Sequence, residues 1–329
     1  MLPALATLSK LLQIEGNLEH FHVPKYQRAY SWNKKNWDVL LDDILENKSG
    51  YFMGTIICVD DRTERRPNEE KVYELIDGQQ RLTTISLLIA AILKKYLALT
   101  PNKEDRDEFL ISSLAKKLVK KKNEFYKYED GGFMEGKNMC FLRVQPSTQD
   151  KNLDDYKYAL GDIGLLNNIS KPKYYGLRTI SNAFEFFYEK LPTNLLELLQ
   201  IKDKIDKLEF IHITVGSQAD AFVLFETLNN RGVPLSAVDI IKNKVMTTME
   251  KKHGIDMEES YNEWQKLLTN IPDYRDQDRF LRQYYNTFKV DDSIKIEGVP
   301  KATKSTLIEI YEQLIKKDAK KVFNDLLSK

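Results

Sequence analysis

The stretch "YELIDGQQRLTTISLLI", residues 73–89, constrains this chain more than any other. It reads as an apolar strand, an Asp-Gly turn, and a helix whose opening turn carries Gln79, Gln80 and Arg81. A helix presents its positive pole at its N-terminus, so Arg81 stands where a cation is least welcome. Asp77 is suited to cap the helix, its carboxylate accepting hydrogen bonds from the unpaired N–H groups of the first turn. Gly78 lets the turn bend and leaves room for close approach. N–H groups that still point outward bind phosphate, and an anion there would neutralise Arg81, with Gln79 and Gln80 as neutral donors or holding a water. Taken alone, the stretch reads first as a capped helix whose Asp77 pairs with Arg81 while both glutamines face solvent.

A second stretch shifts that weighting. "VPKYQRAYSW", residues 23–32, carries another Gln-Arg pair, Gln27 and Arg28, just after a strand-ending proline. Arg28 offers a second planar set of donors for phosphate, and Tyr26 or Tyr30 is placed to stack on a base or line the pocket. Trp32 and Trp37 read as core aromatics. A third stretch, "FETLNNRGVPLSAVDIIKN" at 225–243, holds an Asn230-Arg231-Gly232 turn and Ser236 as the N-cap of a further helix. Glu226, Asn229, Arg231, Asp239 and Lys242 suit structural polar roles, and Asn229 and Arg231 equally suit a reach toward a nucleotide.

Around these stretches the chain reads as mixed strand and helix. "YFMGTIICVD" and "KVYELID" flank the polar turn "DRTERRPNEE" as a hairpin, followed by a buried helix over 79–98. "NWDVLLDDIL" has helical spacing, and "LEFIHITV" returns as a strand to complete the sheet. Residues from about 99 to 200 read as a helical insertion, and those from about 251 onward as amphipathic helices.

Composition narrows the function classes. Among 329 residues, 50 basic and 49 acidic side chains leave a net charge of +1, so no global field draws the chain to nucleic acid or to an acidic membrane. Two cysteines are too few for a disulfide framework or a cysteine-rich zinc site. The opening residues lack the pattern of a signal peptide, and the longest apolar run, "LLIAAIL", is too short for a bilayer. A soluble protein of the reducing cytoplasm fits. "KKLVKKK" at 116–122 places five lysines in seven positions on an expected helix, and "IKKDAKK" adds a second cluster. Such runs are ordinary solvated helix faces, or phosphate-tracking patches. Adjacent acids such as Asp42-Asp43 and Asp154-Asp155 read as solvated surface. A carboxylate nuclease built on Asp60 or Asp61 with Glu69 and Lys71 is disfavoured, because that lysine lies in a polar turn.

The three stretches together, "FHVPKYQRAYSW" with "YFMGT", "IDGQQRLTT" and "FETLNNRGVPLSAVDIIKN", resemble the S subunit or N-terminal domain of the GmrSD restriction proteins. The resemblance covers most of the first 100 residues and again 210–245. That family looks like a member of the ParB/sulfiredoxin-like superfamily, in which a nucleotide phosphate chain sits against a Gly-x-x-Arg turn opening a helix. The matching turn here is Gly78-Gln79-Gln80-Arg81. The fold implied is α+β: a ParB/sulfiredoxin-like mixed sheet domain over 1–98 and 205–250, a helical insertion at 99–204, and a helical C-terminal region at 251–329.

The function implied is NTP binding and hydrolysis, with Mg²⁺ accompanying the nucleotide, in the regulatory subunit of a modification-dependent restriction system. Asp77, Gln79, Gln80 and Arg81 would be catalytic, with Asp77 orienting water or a hydrated Mg²⁺. Tyr26, Gln27, Arg28, Gly78, Gln79, Gln80, Arg81, Asn229 and Arg231 would bind the nucleotide, and no metal would be held by the protein alone. The partners implied are DNA, above all modified phage DNA, and an HNH-type nuclease subunit or a further C-terminal nuclease domain. Self-association is compatible with this. His20, His22, His212 and His253 do not form an HNH arrangement, so the chain is not expected to cut DNA by itself. The alternative is a nucleotide-switched DNA-binding module without turnover.

Overall fold

A computed structural model describes residues 2–12, 19–24, 27–60, 71–123, 133–135, 138–216, 220–221, 224–225, 237–255, 257–269, 271, 274–291, 294–303 and 306–328. Contacts divide the chain into two compact units, Met1–Ser217 and Gln218–Lys329.

In the first unit the strands β1 (Leu2–Thr7), β2 (Glu19–His22), β3 (Phe52–Val59), β4 (Lys71–Asp77), β8 (Val144–Gln145) and β9 (Glu209–Val215) form one mixed sheet. Its order is β1-β9-β3-β4-β2-β8. The expected hairpin is present, β3 pairing antiparallel with β4, and β9 returns between β1 and β3 as the sequence suggested. A register shift between Phe52 and Gly54 makes a bulge in β3 against β9.

The short helix α1 (Leu8–Leu11) follows β1, and α2 (Lys34–Glu46) precedes β3. A reciprocal capping box starts α2: Asn33 Oδ1 accepts from Lys35 N at 3.0 Å and Asn36 Oδ1 accepts from Asn33 N at 3.0 Å. After β4 comes α3 (Gln79–Leu99), the central helix, buried on nearly every side. By length and a mean hydropathy of 1.7 it could cross a membrane, contrary to the reading of "LLIAAIL" as too short. Yet 78% of that window is buried inside the protein, so its apolar sequence is that of a core helix. It packs against α4 (Glu108–Lys116), α5 (Asn152–Asp162), α6 (Thr179–Lys190) and α7 (Leu195–Asp206).

The middle of the chain departs from the helical insertion expected there. A second sheet, ordered β5-β7-β6, is formed by β5 (Val119–Asn123), β6 (Phe133–Glu135) and β7 (Asn138–Leu142), while β8 joins the main sheet beside β2. The lysine run 116–122 is therefore no helix: α4 ends at Lys116 and β5 starts at Val119. Lys117 pairs with Asp206 at 2.9 Å and Lys121 with Glu135 at 2.5 Å. A β-branched residue between polar ones suits a sheet edge as well as a helix face, and tertiary pairing decided.

The second unit contains α8 (Ala237–His253), α9 (Met257–Thr269), α10 (Tyr274–Phe288) and α11 (Leu307–Ser328), the C-terminal helices read from amphipathic spacing. α11 bends at Asp318, and its Phe323 stacks on Trp264 of α9 with centroids 6.1 Å apart.

Candidate functional site

The site is assembled where β4 gives way to α3. Gly78 has φ +88°, the left-handed region that favours glycine, and a β-carbon there would press on Ile56 Cγ1 at 3.2 Å. Gly78, and not Asp77 as expected, is the N-cap, and it brings no side chain to the first turn. The Asp77 carboxylate instead accepts from the Gly78 N–H. The amides of Gln79, Gln80 and Arg81 consequently have no partner among the described residues.

Arg81 has an answer from the fold itself. Its Nη1 donates to Met53 O at 2.6 Å and its Nη2 to Thr55 O at 2.9 Å, with Asp77 Oδ2 at the outer limit of contact, 3.5 Å. β4 ends at Asp77, opposite Ile57, so the stretch of β3 before Ile57 runs on without a β4 neighbour. The guanidinium takes up carbonyls that a further strand residue would otherwise bond. Gly54, φ +107°, makes this possible: a β-carbon there would lie 2.1 Å from Arg81 Nη1. The expectation that Arg81 waits for an outside anion is corrected in this respect. Of its five donors three are engaged, leaving two without a described partner on a side chain 23% exposed.

The two Gln-Arg stretches do converge. Gln79 Nε2 donates to Gln27 Oε1 at 3.0 Å, and Gln27 Nε2 donates to Ile76 O at 3.3 Å. Gln80 is buried and its amide is committed: Oε1 accepts from Ser31 N at 2.8 Å and Trp32 N at 3.3 Å, and Nε2 donates to Ala29 O at 3.2 Å. That is a clamp on residues 29–32, not a donor facing a ligand.

Tyr30, expected as a stacking residue, is buried with its hydroxyl against Thr84 Oγ1 at 2.7 Å and accepting from Trp37 Nε1 at 2.8 Å. Burial pushes its phenol far above the ordinary range. Arg28 is half-buried and makes no hydrogen bond to a described residue, yet its charge is felt at Asp77. Tyr26, Glu226, Asn229, Arg231 and Ser236 lie outside the described residues.

Burial raises the Asp77 carboxyl above its ordinary value, and the charges of Arg81 and Arg28 and the Gly78 N–H only partly offset this. Beside Arg81 opens a cleft of about 210 Å³, walled by Trp32, Asn36, Asp43, Tyr51 and Phe52 among others. Asp43 is thus no solvated surface acid: it lines the cleft beside Tyr51, whose pKa is raised by burial and then by that carboxylate. Nor is Trp32 wholly a core residue. Sequence reasoning missed this wall, although Asn36 and Asp43, seven residues apart on α2, already share a helix face.

Other expectations sort out readily. Asp155 is fully buried and held by Arg178, whose Nε donates to Oδ2 at 2.6 Å, correcting its reading as surface. His20 lies buried against Phe141, and His212 packs edge-on to Phe21 and Tyr73, as satisfied strand histidines. Asp61 and Glu69 lie outside the described residues. Among the described residues no three His, Cys, Asp or Glu side chains gather as a metal site.

A mixed sheet whose one strand turns through a left-handed glycine into a core helix that lacks a side-chain cap, with the charges of Arg81 and Arg28 felt at the half-buried Asp77, defines an α+β domain. The chain belongs to the family of GmrSD restriction endonuclease N-terminal domains, whose pattern matches residues 8–246. Membership places it in a restriction system and supports a role in phage defence. No curated protein matches the chain.

Proposed function

We propose that the turn between β4 and α3 binds the phosphate chain of a nucleoside triphosphate and promotes its hydrolysis, in a cytoplasmic regulatory subunit controlling a DNA nuclease. The ParB-like relationship of the sheet belongs to the same reading. One observation carries it: Arg28, half-buried with no hydrogen bond among the described residues, stands within electrostatic reach of Asp77 at an uncapped helix start. A half-buried guanidinium that makes no hydrogen bond to a described residue is supported best by an anionic ligand.

In this reading Arg28, the spare donors of Arg81 and the amides of Gln79 to Arg81 neutralise the phosphates. Asp77 accepts a hydrogen bond from a water aligned on the terminal phosphorus. The water oxygen bonds to that phosphorus as the bridging P–O bond breaks, and the nucleoside diphosphate leaves. Gln27 and Gln79 hold the two segments together, and Gln80 positions rather than reacts. Mg²⁺ would arrive on the phosphates, with Asp77 the carboxylate that would help to hold it; Mg²⁺ commonly binds through one carboxylate plus phosphates, and would neutralise charge.

The test is phosphate release by the purified chain with and without Arg28→Ala, alongside DNA cleavage in the presence of the nuclease partner. Loss of release in a folded Arg28→Ala protein supports the reading. Unchanged release overturns the site, and nucleotide-sensitive DNA binding with no release at all favours the switch.

A further inference from the structure

The loop between α5 and α6 carries a surface that the β4–α3 site does not use. From 163 to 184 the sequence holds no acidic residue, while Lys171, Lys173 and Arg178 bring three positive charges. Arg178 is neutralised by the buried Asp155, its Nε donating to Oδ2 at 2.6 Å. Asp162 and Glu185, the acids on either side of the stretch, both face Lys94, at 2.9 and 3.7 Å. Lys171 and Lys173 are exposed and have no carboxylate partner among the described residues.

Two adjacent tyrosines of this loop are spent differently. Tyr175 is buried with its ring 4.6 Å from that of Tyr158, over which Lys171 Nζ stands at 6.0 Å. Tyr174 is 61% exposed and Leu177 78%, the reverse of what burial of apolar area favours. Tyr174 also has φ +63°, the left-handed region that a bulky residue rarely adopts. The turn is fixed by its own bonds: Arg178 Nη1 donates to Lys173 O at 2.6 Å, and the N–H groups of Tyr175 and Leu177 donate to Pro172 O and Tyr174 O at 3.1 and 3.0 Å. Strain maintained around an exposed ring fits a ligand contact better than packing. Lys173 Nζ is 4.8 Å from the Tyr174 ring centroid, so one ligand can meet cation and ring together.

We propose that residues 170–177 form a contact for single-stranded DNA, in which Lys171 and Lys173 take phosphates and Tyr174 stacks on a base. A flat ring beside two ammonium groups without carboxylates matches a nucleotide, which carries an anion and a π-face on one unit. An acidic peptide would use the lysines and leave the ring without a flat partner, and a duplex keeps its bases stacked on each other. The inference rests on the reading of the chain as regulator of a DNA nuclease, and is independent of the nucleotide site.

The experiment measures binding of a fluorescent single-stranded DNA to the purified chain by anisotropy over a salt series, with the same-length duplex and polyglutamate as competitors. The single strand should bind more tightly than either competitor. Tyr174→Gly should bind it roughly ten- to a hundredfold more weakly, yet melt no lower than wild type, because glycine relieves the positive φ. Lys171→Ala combined with Lys173→Ala should lower the slope of log affinity against log salt by about 0.7 for each lysine. Phosphate release, followed in parallel, should be unchanged in both variants, so the loop and the nucleotide site each fail on their own readout. The proposal is overturned if the wild-type chain binds no single strand at low salt, if Tyr174→Gly binds as tightly as wild type, or if polyglutamate displaces the strand as readily as unlabelled DNA does. Should the double lysine variant fail to fold, Tyr174→Gly decides alone.

Discussion

Arg81 lies over Gly54: a β-carbon built on that glycine would stand 2.1 Å from Nη1, and the guanidinium fills the space to reach the carbonyls on either side, Met53 O at 2.6 Å and Thr55 O at 2.9 Å. The arginine of the helix start is thus a structural extension of the sheet as well as a donor to the cleft. Its removal perturbs both, which is why Arg28 makes the cleaner test of ligand binding.

Gly54→Ala should destabilise the first unit by about 1–3 kcal/mol from the positive φ alone, with more from the collision. In a double-mutant cycle with Arg81→Ala, measured by urea unfolding, the clash component should disappear and the φ component remain. Strict additivity of the two substitutions would show that Gly54 does not hold the space for Arg81.

Arg28→Ala should leave stability within about 0.5 kcal/mol, since Arg28 makes no hydrogen bond among the described residues. Nucleotide affinity should fall by roughly ten- to a hundredfold, the worth of one charge-assisted contact. Calorimetric titration beside a thermal melt separates the two effects.

Gln80→Ala should act the other way, on structure first. It strips the acceptor from the Ser31 and Trp32 amides and the donor from Ala29 O, at about 1–3 kcal/mol for a buried polar partner lost. Amide hydrogen exchange should quicken at Ser31 and Trp32 in the variant. Exchange as slow as wild type would mean the clamp is not what orders the segment.

Asp77→Asn tests the half-buried carboxyl through its pH dependence. Because the folded-state pKa lies above the ordinary 3.8, the folded protein binds this proton more tightly than the unfolded chain does. Its contribution favours folding fully below pH 3.8 and is lost as pH rises through the raised value. At pH 7 the variant should therefore be as stable as wild type or more so, with a flatter stability profile over that acid window. Phosphate release should be lost. A variant markedly less stable at pH 7 would show that the ionised carboxylate is a net support of the fold.

Local order was legible in the sequence wherever a pattern of period 2 or 3.6 met clear punctuation. The β3–β4 hairpin, the return of β9 and the start of α3 immediately after Gly78 follow from alternation, a polar turn and one glycine. That the two Gln-Arg stretches meet followed only from the family resemblance, and the bond between Gln27 and Gln79 joins them.

What the tertiary structure alone decided is which way each polar group is spent. Asp77 and Gly78 exchanged capping roles because the left-handed turn leaves Asp77 on the strand side. Gln80 turned inward, Tyr30 was sealed beneath Trp37, and Asp43 came to line a cleft. A side chain's hydrogen-bonding capacity is written in its residue type, but its partners come from segments 26 to 122 positions away, Arg81 with Thr55 and Gln149 with Gln27. Spacing along one chain carries no information about contacts of that range; packing of the sheet against its helices creates them.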